Sequence, residues 1–351
     1  MLINARLACF LLVSFSFSAT VLAQQDSRQA QRSTGRIFLD LVVTPKSGPP
    51  VSDLQQQDFT LLDNKVPQTV ASFRAFDARL APVEVILVID AVNTGYENLG
   101  YERSQIDKFL RADGGSLAHP TALAILSDTG MQMQDGPSSD GNALSASLDQ
   151  SIIGLRNINR SAGFWGADEQ FQISIEGLNQ LATRLAARPG RKVVLWVSPG
   201  WPLLSGPSVE LDAKEQEQLF SEIVNISSLL MQARITLYSI DPLGTGDIGF
   251  RTFYWRDFLK GISKPSQVQI GNLALEVLAT QSGGLALNSS NDTATLLHES
   301  LADTAPYYEI SFDSAPAEKK DEYHQLEVRL ARPGLTARTR QGYYTQPLPR
   351  N

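Results

Sequence analysis

The chain has 351 residues, 42% of them hydrophobic, a single cysteine and a formal net charge of −7. That is enough apolar material for one large domain plus a smaller one. An acidic chain with no basic tract excludes recognition of nucleic acid by charge, and one thiol excludes a disulfide scaffold.

Residues 1–23 read as a secretory signal peptide: Arg6 supplies the positive start, residues 7–21 the apolar core, and Val21-Leu22-Ala23 the cleavage site. A membrane anchor suits this run less well, because it is short and broken by serines. Cleavage would remove Cys9 and Arg6 and leave an exported, cysteine-free chain of charge −8. A large core without disulfides points to a bacterial periplasm, outer envelope or extracellular space. No later stretch is long and apolar enough to span a bilayer.

Residues 24–35 are polar and predict a flexible leader. Residues 36–44 (Arg-Ile-Phe-Leu-Asp-Leu-Val-Val-Thr) predict a strand, and Ser47-Gly48-Pro49-Pro50 a break. Strands over 59–62 and 68–76 follow, with Asp63-Asn64-Lys65 as a hairpin turn between them. No helix separates these strands, so residues 36–78 form a β segment of their own.

The rhythm then changes. Residues 83–89 are a β-branched and leucine run interrupted only by Glu84, ending at Asp90 and the turn residues Asn93, Thr94 and Gly95. Such a run suits a strand buried on both faces of a parallel sheet. Further strands are predicted over 121–128, 191–198, 234–241 and 285–287. Helices are predicted over 101–112, 140–155, 169–187, 209–232, 271–281 and 292–304. This alternation predicts a doubly wound, mainly parallel α/β sheet spanning 82–305. Residues 307–312, 323–330 and 335–344 are again strands, so 306–347 is expected to pair with 36–78 into a β-sandwich-like domain.

Carboxylates that end central parallel strands lie where open α/β sheets bind ligands. Phe38-Leu39-Asp40-Leu41-Val42-Val43-Thr44, Asp58-Phe59-Thr60-Leu61-Leu62-Asp63-Asn64, Val88-Ile89-Asp90-Ala91-Val92-Asn93-Thr94, Val197-Ser198-Pro199-Gly200-Trp201 and Arg338-Thr339-Arg340-Gln341-Gly342-Tyr343-Tyr344 carry a resemblance. Residues 83–304 resemble a von Willebrand factor type A domain. The chain as a whole resembles the related bacterial proteins abundant in Acidobacteria. That resemblance implies a divalent-cation site of the Asp-x-Ser-x-Ser kind, completed by a loop Thr and a later Asp. Asp90 and Thr94 match it, whereas Val92 and Pro199 stand where oxygen ligands belong. Asn93 is a substitute oxygen and Ser161 a poor match for the loop Thr. The expectation is therefore a degenerate site: no firm cofactor, with Mg²⁺ or another divalent cation held weakly if at all.

Ser198, Asp241 and His298 follow the order of an α/β-hydrolase triad. Against that, Trp196 replaces the first glycine of the nucleophile turn. Pro199 has no N–H to give an oxyanion. Aromatic residues crowd the loops: Trp165, Trp201, and Phe250 to Phe258 with Tyr254 and Trp255. The leading expectation is a non-catalytic binding protein that takes a protein partner through Asn93, Thr94, Trp165, Trp201, Tyr254 and Trp255. Its alternative is a structural or assembly component without a distinct ligand. The expectation for tryptophans that are not anchors is burial in the core.

Overall fold

The computed structural model describes residues 35–77, 83–153, 164–202, 210–244, 254–314 and 317–347. Four strands open the chain: β1 (Arg36–Pro45), β2 (Phe59–Asp63), β3 (Val66–Pro67) and β4 (Ser72–Phe76). The β2–β3 connection is a two-residue turn in which Asn64 and Lys65 both take positive φ, of 48° and 69°. This is the backbone twist that tight hairpins require. The strand expected over 68–76 is shorter than predicted, because Pro67 ends one strand and only residues 72–76 form the next.

The central unit follows as β5 (Val83–Asp90), α1 (Tyr96–Leu110), β6 (Ser116–Ser127), β7 (Gly130–Met133), β8 (Ser138–Asp140), α2 (Gly141–Ile153), α3 (Phe164–Ala186), β9 (Arg191–Val197), α4 (Ala213–Gln232), β10 (Ile235–Ile240), α5 (Leu275–Gln281), β11 (Ala286–Leu287) and α6 (Thr293–Leu301). Strands β11, β10, β9, β5, β6 and β7 lie side by side in that order, with β8 also paired to β6. The first five are mutually parallel, while β7 and β8 run antiparallel to β6. The sheet is thus mixed and mostly parallel. The short β7 and β8 were not legible in the sequence because neither carries an apolar run.

Both faces of the sheet are covered, as the unbroken hydrophobic strands demand. Ile86, Val88, Val194, Trp196 and Leu237 pack with residues of α3, α4 and α5 on one face. On the other, Val85, Leu87, Ile89, Leu195 and Ile240 meet Ile106, Phe109, Leu148 and Leu297 of α1, α2 and α6. The chain turns to β6 on one side of β5 and later returns to β9 on the other. The switch point of the sheet therefore lies between β5 and β9, at Asp90 and Ser198.

The last strands are β12 (Tyr307–Asp313), β13 (Glu322–Leu330), β14 (Leu335–Arg338) and β15 (Gly342–Thr345). They join the first four in two antiparallel sheets, ordered β14-β1-β12-β4 and β15-β13-β2-β3. One core lies between them, built by Ile37, Leu39, Leu41, Phe59, Leu61, Ile310, Phe312, Leu326 and Tyr343. The expected single strand over 335–344 is corrected to two. Thr339-Arg340-Gln341 carries the chain from β14, paired with β1, across to β15, paired with β13.

Candidate functional site

Asp90 ends β5 fully buried. Its Oδ1 accepts from the backbone N–H groups of Val92 and Asn93, at 3.1 and 3.0 Å. Its Oδ2 accepts from Asn93 Nδ2 at 2.8 Å and from the Trp196 indole at 3.1 Å. Four donors occupy the acceptor capacity of a carboxylate. In this arrangement Asp90 braces the turn after β5 and ties it to β9, and it has no lone pair left for a cation. Val92, the residue that stands where an oxygen ligand belongs, is buried in the core. Ser198 Oγ is engaged as well, accepting from Gly200 N at 3.1 Å. The residues present do not fit the divalent-cation site that the family pattern implies. Among the described residues no three His, Cys, Asp or Glu side chains are grouped to hold a metal.

Helix α3 closes the site from the side. Asn93 Nδ2 also donates to Ser174 Oγ at 2.8 Å, and Gln170 Nε2 donates to the Val92 carbonyl at 3.0 Å. Asn93 and its loop are thereby held in place before any ligand arrives.

The residue the sequence analysis missed is Glu102. It lies on α1, 1% exposed, and the Thr94 hydroxyl is the one polar group against its carboxyl, too poorly aligned to make a regular hydrogen bond. Burial pushes its carboxyl well above the ordinary range; the neighbouring Thr94 hydroxyl opposes the shift, and the charges of Asp90 and Asp241 add to it. Thr94 Oγ1 and Asn93 Oδ1 are also buried without a hydrogen-bond partner. The signal was available: Glu102 stands four, seven and eight residues before Ile106, Phe109 and Leu110, on the face that α1 buries. A carboxylate on an apolar stripe is the anomaly to look for.

Asp241 follows β10, the neighbour of β9, and its Oδ1 accepts from Leu243 N at 2.9 Å. The carboxyl edge of β5, β9 and β10 therefore gathers Asp90, Asn93, Thr94, Glu102, Ser198 and Asp241. It does not assemble a hydrolase relay. No hydrogen bond joins Ser198 to His298, whose ring lies edge-on to Phe109 at 4.9 Å between centroids.

The aromatic expectations divide. Trp201 is 1% exposed and packs edge-on against Trp196, centroids 5.5 Å apart. Its place as a surface anchor is corrected: it is core, because the turn after Ser198 folds back over the sheet face that Trp196 occupies. Tyr254 and Trp255 are half-buried against Phe258, Ala274 and Val277, in a cluster beside α5. Trp165 belongs to the first turn of α3, not to a loop, and its side chain lies outside the described residues, as do Ser161 and Phe250.

No family model matches the chain, and no curated protein matches its sequence. Solved structures do resemble it. The pilus adhesin SpaC from Lactobacillus rhamnosus GG aligns at a TM-score of 0.37 and 10% identity, over 84% of this chain and 49% of that one. The manganese-loaded TRAP protein of Plasmodium vivax gives 0.36 and 10%, over 77% of this chain and 96% of that one. The human COPII-coat protein Sec24c gives 0.36 and 9%, over 78% and 44%. The chain thus spans about half the length of the adhesin and less than half of the coat protein. Likeness at this level carries no argument about activity or partners.

Proposed function

We propose that this chain is a non-catalytic binding protein, exported and related to von Willebrand factor type A modules, that takes a protein partner at the carboxyl edge of its parallel sheet. The observation that carries the proposal is the set of buried oxygens on Glu102, Thr94 and Asn93, which make no regular hydrogen bond and find no partner outside their own cluster beside Asp90. Buried polar groups are normally satisfied, and an unsatisfied cluster at a ligand-binding position is an incomplete site. Asn93 Oδ1 can only accept, and Thr94 Oγ1 and the Glu102 carboxyl can accept as well as donate, so the group that completes them brings a donor, such as an ammonium, guanidinium or amide N–H of the partner. Asp90 and Asp241 favour a positively charged one. Degeneracy of the cation site belongs to the same proposal: direct donor contact replaces a bridging metal.

Crosslinking and capture of the mature protein in its native envelope tests this, with Thr94→Val and Glu102→Gln alongside. A partner captured stoichiometrically by the wild type and lost by both variants, with their melting temperatures no lower than that of the wild type, supports the proposal. Equal capture by all three places the binding surface elsewhere. Calorimetric titration with Mg²⁺ and Mn²⁺ tests the degeneracy: micromolar affinity abolished by Asp90→Ala would overturn it.

A further inference from the structure

At the opposite end of the sheet, where β10 begins beside β1, a small cleft partly open to solvent is lined by Asp40, Arg234, Thr236, Thr339 and Arg340, among others. Its charges do not balance. Glu309 and Asp40 are both taken by Arg234, the Glu309 contact measuring 2.6 Å, and Arg74 adds a longer contact of 3.9 Å to Glu309. Two carboxylates thus answer two guanidiniums. Arg340, 7% exposed, has only a longer-range attraction to Asp40, an acid already taken by Arg234: among the described residues its guanidinium has no close ion pair. Burial draws its pKa down to about 10, partly offset by the charges of Asp40 and Tyr323. A buried charge with no close partner is costly, and native proteins seldom keep one without a use.

Two more donors in the same cleft are idle. Arg234 Nε and Thr339 Oγ1 are buried without a hydrogen-bond partner, although Arg234 spends its terminal nitrogen on the acids. The three donors come from two separate segments, the end of α4 and the crossover between β14 and β15. That crossover is held rigidly. Gln341 N donates to Gln281 O at 3.0 Å, and Leu326 N donates to Gln341 O at 2.9 Å. Gly283, at φ +94°, lies so close that a Cβ there would stand 2.7 Å from the Thr339 carbonyl carbon. Donors fixed in advance, one of them a planar fork, suit a group that offers several oxygens.

We propose that Arg340, Arg234 Nε and Thr339 Oγ1 form a binding site for a small oxyanion of the phosphate or sulfate kind, at the seam between the α/β unit and the β-sandwich. The site is remote from the carboxyl edge and does not depend on the function proposed for it. An anion there neutralises Arg340 and joins β10's side of the molecule to the β14–β15 crossover, so occupancy stabilises the fold.

The test is titration of the full mature chain with sodium phosphate against sodium chloride of equal ionic strength, read by melting temperature and calorimetry. The expected result is a saturable upward shift in melting temperature with phosphate only. Thr339→Val should weaken phosphate affinity about tenfold, the effect of losing one hydrogen bond to a charged group. Arg340→Gln should abolish the shift, yet melt no lower than the wild type without phosphate, because it strands no partner. A phosphate monoester such as glycerol 3-phosphate forms the second arm. Binding of both ligands supports the site and assigns it to a phosphate carried on a larger molecule; binding of phosphate alone supports it and assigns it to the free ion. Equal shifts with chloride, an adventitious-ion response unchanged by Thr339→Val, or an unaltered shift in Arg340→Gln would overturn it.

Discussion

Two carboxylates at the same strand edge behave differently because of their donors. Asp90 collects four and is structural; Glu102 has only the poorly aligned Thr94 hydroxyl and favours its neutral form in the dry interior. A carboxyl whose pKa is raised on folding holds its proton more tightly in the native state. Its contribution to stability is complete below its ordinary value of 4.5 and is lost as pH rises towards the folded value. Glu102→Gln keeps the shape and removes the charge, so wild-type protein should lose melting temperature relative to the variant as pH rises above 4.5. A difference that stays constant with pH would show that Glu102 ionises normally. At Trp201, buried beside Trp196, truncation to Ala should lower the unfolding free energy by about 3–5 kcal/mol in urea titrations. A loss near zero would return Trp201 to the surface.

At the scale of elements, the helices owe their boundaries to local chemistry. Helix α4 starts at a reciprocal capping box: Asp212 Oδ1 accepts from Glu215 N and Glu215 Oε2 accepts from Asp212 N, both at 2.8 Å. Asp212→Ala should therefore cost about 1 kcal/mol, measured by urea unfolding. That cap was in the sequence, though the predicted start at residue 209 overlooked it. Helix α1 begins at Tyr96 rather than at residue 101 because the helix forms directly after the Gly95 cap, before its apolar face begins. The split of residues 335–344 into two strands has no local signal. Its cause is that β14 and β15 answer to different sheets, and only the partners reveal where the chain must cross.

At the scale of the whole molecule, the first and last strands are fastened by a buried polar cluster. Asp63 of β2 lies 2.9 Å from His324 Nδ1 of β13 and accepts from the Tyr343 hydroxyl of β15 at 2.6 Å. All three are buried. Asp63→Ala strands both partners in the sandwich core and should lower stability by about 3 kcal/mol or more in denaturant titrations. A cost under 1 kcal/mol would mean that the strands are held by apolar packing alone. The expectation that the two end segments need each other rests on the same physics: β1 pairs with β12 and β14, and β2 with β13, so neither segment has a complete sheet by itself.

The sequence alone determined the alternation of strands and helices, the two-sided burial of residues 83–89, and the position of Asp90 at a strand end. These follow from hydrophobic periodicity, which local spacing records. Only the tertiary structure decided which polar groups are satisfied. Asp90 is occupied by an indole 106 positions away, Trp201 is folded inward, and Glu102 and Arg340 are buried without a close partner of opposite charge. Hydrogen-bond satisfaction depends on neighbours brought together by the fold, and no spacing along the chain encodes them.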